Sequence, residues 1–448
     1  MTQPGQLFST MLRSLQRTVL PLATLCVLPM LAVAPAPAQT FSVIHAFTGA
    51  RDGGNPLAGL TLDAAGNLYG TTYEGGGVIG NGCEPSGCGT IFKMTNRGGG
   101  WVLTPLYAFF GQTDGAGPLA PVVFGPDGVL YGSASNGGRG DCIIGNFGGC
   151  GVVFTLQPPP TACHSVLCYW SVNPNYQFLS YADGFEPINN IAFDQAGHIY
   201  GTTFYGGSGN CFGFGCGTVF QLTQTGPPWT KTTLYNFTGE SDGSFPTSGV
   251  VIDRFGVLYG AALGNGLENY GTIYELTPSG SGWTFSIIYT FHNGSDGAYP
   301  YGGLVMDAEG NLYGTTSEGG SGGGGTVFEL SPSGGGWSLS VISSLARGLN
   351  GGGPQGTLAF DSAGNLYDTT YGEGTHQCGN VFKLTHSGGQ WSYSDLYDFT
   401  CGNDGGLPEA GVTLDASGNI YGTTQSYGPN HTCGYGPGGC GVVWEITP

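Results

Sequence analysis

The sequence predicts an all-β protein: a seven-bladed β-propeller of four-stranded blades, its ring closed by an N-terminal strand that joins the last blade. Three observations predict it. A Leu-Tyr-Gly signature, or a close variant, recurs seven times at fixed distances from an upstream acid and an upstream Trp. Each repeat holds four strand-like segments separated by turn residues. The two ends of the mature chain hold complementary parts of one blade.

The signature places its Tyr at 69, 131, 200, 259, 313, 367 and 421. Seventeen residues before each stands Asp52, Asp114, Asp183, Asp242, Asp296, Asn350 or Asp404. Thirteen before the last six of these stands Trp101, Trp170, Trp229, Trp283, Trp337 or Trp391. Within the first repeat, Leu57 to Leu62 reads as apolar strand A. Asp63-Ala64-Ala65-Gly66-Asn67 reads as a hairpin turn, with Asp bonding local backbone and Gly taking φ > 0. Leu68 to Tyr73 is strand B, and GTIFKMT (89–95) is strand C. Trp101 to Phe109 is strand D, with Leu103, Pro105, Tyr107 and Phe109 expected on one face. Four strands in a unit of 54 to 69 residues suit a propeller blade.

The ends settle the ring closure. The last repeat supplies strands A, B and C only, stopping at GVVWEITP, while Thr40 to Phe47 supplies a lone D-type strand. Sharing one blade completes seven sets of four and removes exposed sheet edges. A β-solenoid is the alternative, but it has no need of complementary ends.

Composition agrees with a packed, turn-rich fold. The 448 residues include 88 Gly and 27 Pro, a share that signals disorder when aperiodic, but 12% are aromatic, which disordered chains lack. Only 9% are charged, and the net charge of −19 argues against nucleic acid and anionic lipid as partners. At the N-terminus, Arg13 and Arg17 precede an apolar run, Val19 to Val33, that ends in Ala36-Pro37-Ala38. That pattern is a secretory signal peptide, residues 1–38, with a single domain over 39–448. Pro21 and Pro29 interrupt the run, which is too short to span a membrane comfortably, and no later segment suits a span. Cys26 lacks the small preceding residue of a lipoprotein signal. A monomer that is secreted, periplasmic or at the cell surface is expected.

The phrases GNLYGTTYEGG, GTVFELSPSGGGW and DGAYPYGGLVMDAEGNLYGTT resemble the GloVer repeat, which marks bacterial "choice-of-anchor" tandem-repeat surface proteins. The resemblance covers nearly all of 40–448 and implies a repeat architecture but no particular activity. Members often end in an anchoring tail. This chain ends at Pro448 directly after a strand, so a free form is expected over an anchored one.

Twelve cysteines remain after Cys26, and export makes disulfides the expectation. Close pairs are Cys83/Cys88, Cys142/Cys150, Cys163/Cys168, Cys211/Cys216 and Cys433/Cys440. Cys378 opens a strand C and Cys401 closes the next strand D, so they should pair across the hairpin. Zinc binding, with His376 and His431 nearby, is the alternative.

The B-to-C loops vary most. From the signature Tyr to the strand C aromatic takes 15 residues in blades 4, 5 and 6, but 20 in blade 3 and 23 in blades 1, 2 and 7. The long, Cys-bearing loops thus form one arc, on the face that also carries the Asp-Gly-x-x-Pro D-to-A loops. Phe147, Phe212, Phe214, Tyr427 and Tyr435 in or beside them are candidate ligand contacts. Asp52, Asp114, Asp183, Asp242, Asp296 and Asp404 form a candidate ring that could bind Ca²⁺ or sugar, or serve as acid and base. Against this stands the architectural reading, in which each Asp caps its own turn. The Trp residues suit blade packing better than sugar stacking. His45 replaces a strand Tyr, and His198 a turn Asn. Gly322 to Gly325 read as loop. No catalytic residue, metal site or cofactor is predicted, Ca²⁺ being the ion the carboxylates would take. The expected role is a non-catalytic binding or scaffold module for a polysaccharide, protein or cell-surface ligand. The alternative is a carbohydrate-active hydrolase or lyase, which needs convergent acids in a deep pocket at non-repeated positions.

Overall fold

Seven copies of one five-residue strand form the spine of the molecule: Leu68–Thr72, Leu130–Ala134, Ile199–Thr203, Leu258–Ala262, Leu312–Thr316, Leu366–Thr370 and Ile420–Thr424, all buried. They are the B strands. The computed structural model describes residues 39–448 apart from 78–82, 84, 145–146, 161–168, 227, 265–268, 281, 349–350 and 434–437. The segment 1–38, the Cys163/Cys168 pair, Asn350 and Tyr435 lie outside the described residues.

Each B strand sits second in a four-stranded antiparallel sheet with order A-B-C-D. In blade 1 these are Thr61–Leu62, Leu68–Thr72, Thr90–Asn96 and Trp101–Ala108. In blade 7, strands Thr413–Leu414, Ile420–Thr424 and Val442–Thr447 are completed by Thr40–Ala46. The register runs from Thr40↔Thr447 to Ala46↔Val442, so the chain ends close the seven-bladed ring as predicted.

The signature residues each have a physical task. The Tyr69 hydroxyl donates to Asp63 Oδ2 at 3.1 Å, while Asp63 Oδ1 accepts from the Ala65 and Asn67 amides, fixing the A–B hairpin with Gly66 at φ 79°. His198 takes the place of Asn67 faithfully: its Nδ1 lies 2.7 Å from Asp194 Oδ2. The Tyr ring also meets the Trp of the following blade edge-on, as in Tyr421–Trp101, Tyr200–Trp283 and Tyr259–Trp337, at 5.6 to 6.0 Å. The Trp residues therefore pack blade on blade. Gly70 makes room for Phe92, whose Cζ lies 2.5 Å from where a Cβ would stand. Phe92 in turn takes Phe47 of the preceding blade edge-on at 5.3 Å, and Phe109–Phe154 and Phe291–Phe328 repeat the contact. Each such aromatic pair adds about 0.5–1.5 kcal/mol beyond its buried area.

A belt of hydrogen bonds ties neighbouring blades near the axis. Thr71 Oγ1 donates to Ala120 O at 3.0 Å, Thr202 to Ser248 O at 2.9 Å, Thr369 to Ala410 O at 2.9 Å and Thr423 to Ala58 O at 2.9 Å. The last crosses the 7–1 seam.

Three sequence expectations need correction. Strand A is two residues long rather than six, because residues 57–60 line the axial channel, where the ring offers them no second strand to pair with. Strand D does not keep one face throughout. Phe92 pairs with Pro105 but Ile91 pairs with Tyr107, so Leu106 bulges and Tyr107 turns to the opposite face from Leu103 and Pro105. The same slip occurs in all seven D strands, where a bulge adds twist to the outermost strand. Finally, Gly323–Gly325 open strand Gly323–Ser333 instead of forming a loop, Gly323 pairing with Ala346; the short B–C connection lets pairing start earlier.

Candidate ligand-binding face

The B–C and D–A loops emerge together. Isolated bridges zip them in six blades, among them Gly54↔Glu74, Phe185↔Tyr205 and Gly406↔Ser426. On this face the Asp ring resolves into separate turn caps. Asp114 accepts the Phe110 amide at 2.8 Å and the Tyr107 hydroxyl at 3.0 Å. Asp242 accepts from the Thr238 and Glu240 amides and Tyr235, Asp296 from the His292 and Gly294 amides and Tyr289, and Asp404 from the Thr400 and Gly402 amides and Tyr397. Asp52 takes the Thr48 amide and His45, and Asp183 the Leu179 amide, Tyr176 and the buried Lys231 ammonium at 3.2 Å. The bulge in strand D aims these Tyr residues at the carboxylates. Among the described residues, none of these aspartates lines the axial channel, and no cluster of three metal-ligating side chains occurs.

Three residues after each acid position stands a residue with positive φ, always followed by Pro. These are Asn55, Gly117, Glu186, Phe245, Tyr299, Gly353 and Leu407, with φ between 53° and 63°. Their backbones knit the blades. The amide of Phe245 donates to Cys216 O of the preceding blade's B–C loop at 2.8 Å, and its carbonyl accepts from Leu263; Tyr299 and Leu407 do likewise, through Tyr270 and Cys378. Left-handed backbone costs a non-glycine residue about 1–2 kcal/mol, yet five of the seven blades carry a side chain there. The backbone duty is constant and the side chain is not, so this ring individualises the face.

Blade 3 gathers an exposed aromatic group. Cys211–Cys216 closes a turn in which Phe214 N donates to Cys211 O, and holds Phe212 at φ 52° with 80% of its surface exposed. Phe212 stacks on Phe245 at 5.9 Å and 12°, and Phe214 contacts Tyr181 at 5.9 Å and Tyr205 at 6.0 Å. Burial pushes the Glu186 carboxyl up to about 7, and its proximity adds to the burial that raises Tyr205. Of the five aromatic candidates, the structure thus joins Phe212 and Phe214. Tyr427, at φ 64°, lies on blade 7, and Phe147 sits in a small ribbon, Ile143–Ile144 with Phe147–Gly148, on the blade 2 loop.

The staples are in place: Cys83–Cys88, Cys142–Cys150, Cys211–Cys216, Cys378–Cys401 and Cys433–Cys440 are bonded. Cys378 and Cys401 flank their strands, Asn380–Ser387 and Gln390–Asp398, just beyond the last pair Asn380↔Asp398, so the bridge ties the B–C loop to the D–A turn.

The channel holds what the sequence reading missed. It encloses about 310 Å³, and the residue after each D–A Pro lines it: Leu57, Leu119 and Ile188 from blades 1–3, then Thr247, Tyr301, Gln355 and Glu409 from blades 4–7. One arc is apolar and the other hydrogen-bonding. Burial pushes Glu409 up to about 7, and burial followed by the Glu409 charge pushes Tyr301 up to about 12. Behind the wall, Asp368 replaces the signature Gly in blade 6. It is fully buried, both carboxyl oxygens lack partners among the described residues, and burial pushes it up to about 8. The signal available in the sequence was a break in the repeat: LYD for LYG, and the changing residue after Pro.

A closed all-β ring with knitted, individually decorated blades defines the class: a seven-bladed repeat propeller. The chain belongs to the Gloeobacter/Verrucomicrobia repeat family, whose profile matches residues 32–213, 142–341 and 303–448. No curated protein matches it. Among solved structures, a gluconolactonase from Xanthomonas campestris is 13% identical over 66% of this chain and 78% of its own, with TM-score 0.37. A protein of unknown function from Dyadobacter fermentans is 10% identical over 92% and 99%, with TM-score 0.42. A luciferin-regenerating enzyme is 12% identical over 92% and 96%, with TM-score 0.38. At these identities no activity passes from them to this chain. No helix among the described residues is long and apolar enough to cross a membrane.

Proposed function

We propose that this protein is an exported, non-catalytic binding module that captures an extracellular glycan on its loop face, with the blade 3 aromatic group as the platform. Phe212 carries the reading. A large aromatic held exposed on strained backbone by a disulfide is costly unless a partner covers it. Sugar rings stack on such faces, and the neighbouring amide and hydroxyl groups supply hydrogen bonds. The Arg-led apolar segment at 1–38 and the five disulfides support export to an oxidising compartment. The hydrolase or lyase reading draws less support: each turn aspartate is engaged by its own turn, and in the axial channel Glu409 is the one acid among the described lining residues, with Asp368 buried behind the wall rather than facing it. A glycan array probed with residues 39–448 tests the proposal. At least one glycan should bind, and Phe212→Ala should weaken it tenfold or more without lowering the melting temperature. An array on which no glycan binds, or binding indifferent to Phe212→Ala, would remove the platform.

A further inference from the structure

We propose that the axial channel is a second, separate site that takes a small cationic amine with an apolar body, its ammonium group meeting Glu409. The lining is split by blade. Leu57, Leu119 and Ile188 make an apolar wall, while Tyr301, Gln355 and Glu409 stand on the hydrogen-bonding arc. Glu409 borders the cavity, yet its Oε2 atom is sealed from water and has no hydrogen-bond partner among the described residues. Among the described residues, no Lys, Arg or His lines the cavity to neutralise it. The titratable groups that sense Glu409 are Tyr301 and Tyr371, whose hydroxyls its charge raises further after burial, and neither can supply a positive charge.

A buried carboxylate without a cation is expensive unless it stays protonated or receives one. Glu409 rests near neutrality for that reason. An ammonium ligand resolves the frustration: it donates to the carboxylate and to the Gln355 side-chain oxygen, lies against Tyr301, and lays its hydrocarbon on the leucines and isoleucine. A neutral polyol would leave the charge uncompensated, and an anion would be repelled. The surrounding charge of −19 also concentrates cations. Binding to the protonated protein expels the Glu409 proton, so affinity must rise with pH through about 7.

The test uses 2-phenylethylamine against 2-phenylethanol, titrated into residues 39–448 by calorimetry in two buffers of different ionisation enthalpy. The amine should bind at least tenfold tighter than the alcohol at pH 8, lose tenfold or more by pH 5.5, and release a proton near pH 6. Glu409→Gln should erase the preference while alcohol binding remains. Should that variant fail to fold, the carboxyl chemical shift of Glu409 in the unmodified protein must move to a lower titration midpoint when amine is added. Equal binding of amine and alcohol, no binding of the amine, or a Glu409 titration indifferent to it overturns the proposal.

Discussion

His45 Nε2 lies 3.2 Å from Asp52 Oδ2, where five other blades set a tyrosine hydroxyl against the equivalent carboxylate. The pair sits at the seam, because His45 belongs to the N-terminal strand that closes blade 7 and Asp52 to the turn that leads into blade 1. Burial pushes Asp52 up, but hydrogen bonds from His45 and Thr48 outweigh it and hold the carboxyl below its usual range. Its contribution is therefore present above about pH 4 and lost as the pH falls through the lowered value. Asp52→Ala should cost about 1–3 kcal/mol in denaturant unfolding at pH 7, and His45→Tyr, which restores the repeat, should be tolerated. Deleting 39–50 should destabilise the whole ring and expose the Val442–Thr447 edge. A truncated chain that keeps its melting temperature would show that the seam is not needed.

Asp368 sets the opposite dependence. A carboxyl raised to about 8 by burial binds its proton more tightly in the folded chain than in the unfolded one. Between about pH 4 and 8 the unfolded chain gives up that proton first, so stability falls as the pH rises across this window and levels off above it. Glu186 and Glu409, both raised to about 7 by burial, add to the slope. Asp368→Gly restores the signature and removes two unpartnered oxygens, so it should stabilise the protein by about 1–3 kcal/mol at pH 8 and less at pH 5. Melting curves at the two pH values decide it; a variant that gains equally at both, or gains nothing, contradicts the assignment.

Reduction should not affect the staples equally. Cys378–Cys401 closes a separation of 23 residues, against 5 to 8 for the others. Chain entropy gives about 3 kcal/mol for the former and about 2 for the shortest. Cys378→Ser with Cys401→Ser should lower stability more than loss of Cys83 and Cys88. Mass spectrometry of unreduced peptides should recover the five bonds, and we expect a sixth, Cys163–Cys168. Free thiols at these positions, or bound zinc, would refute the framework.

What could be read from the chain follows from what repetition exposes. Tyr69, Asp63, Trp101 and Asp114 recur because each blade needs the same turn and the same inter-blade contact, so spacing located them. Asp114 stayed open between ligand contact and turn cap until its bonds to Tyr107 and the Phe110 amide were seen. The Leu106 bulge escaped because apolar residues continue on both sides of it; pairing with Ile91 and Phe92, not alternation, reveals the slip. Strand A looked longer because residues 57–60 are as apolar or small as a strand, although they face the channel. Glu409, Glu186 and Asp368 escaped for the converse reason: a search for recurrence passes over the positions where blades differ.

The arc of blades 7, 1, 2 and 3 yields the last prediction. Its loops can be shortened without touching the ring. In blade 3 the long loop supports the next D–A turn through Cys216 O, which accepts the Phe245 amide at 2.8 Å. In blade 5 the short loop does the same through Gly324 O, which accepts the Gly353 amide at 3.0 Å. The knitting bond therefore survives when 205–215 is replaced by the Ser317 to Gly324 version, and the same holds for 426–439, where Cys440 O serves the Asn55 amide at 2.9 Å. Extra chain costs ordering entropy, and the disulfides reduce it by restricting the loops beforehand. Rigid excursions on half of one face give a symmetric scaffold a specific surface. The blade 3 chimera, which loses Phe212 and Phe214, should melt within a few degrees of the parent and lose binding to any glycan found on the array. The blade 7 chimera should lose it in part. Full binding by both would place the glycan elsewhere and leave the stapled loops with a structural role alone.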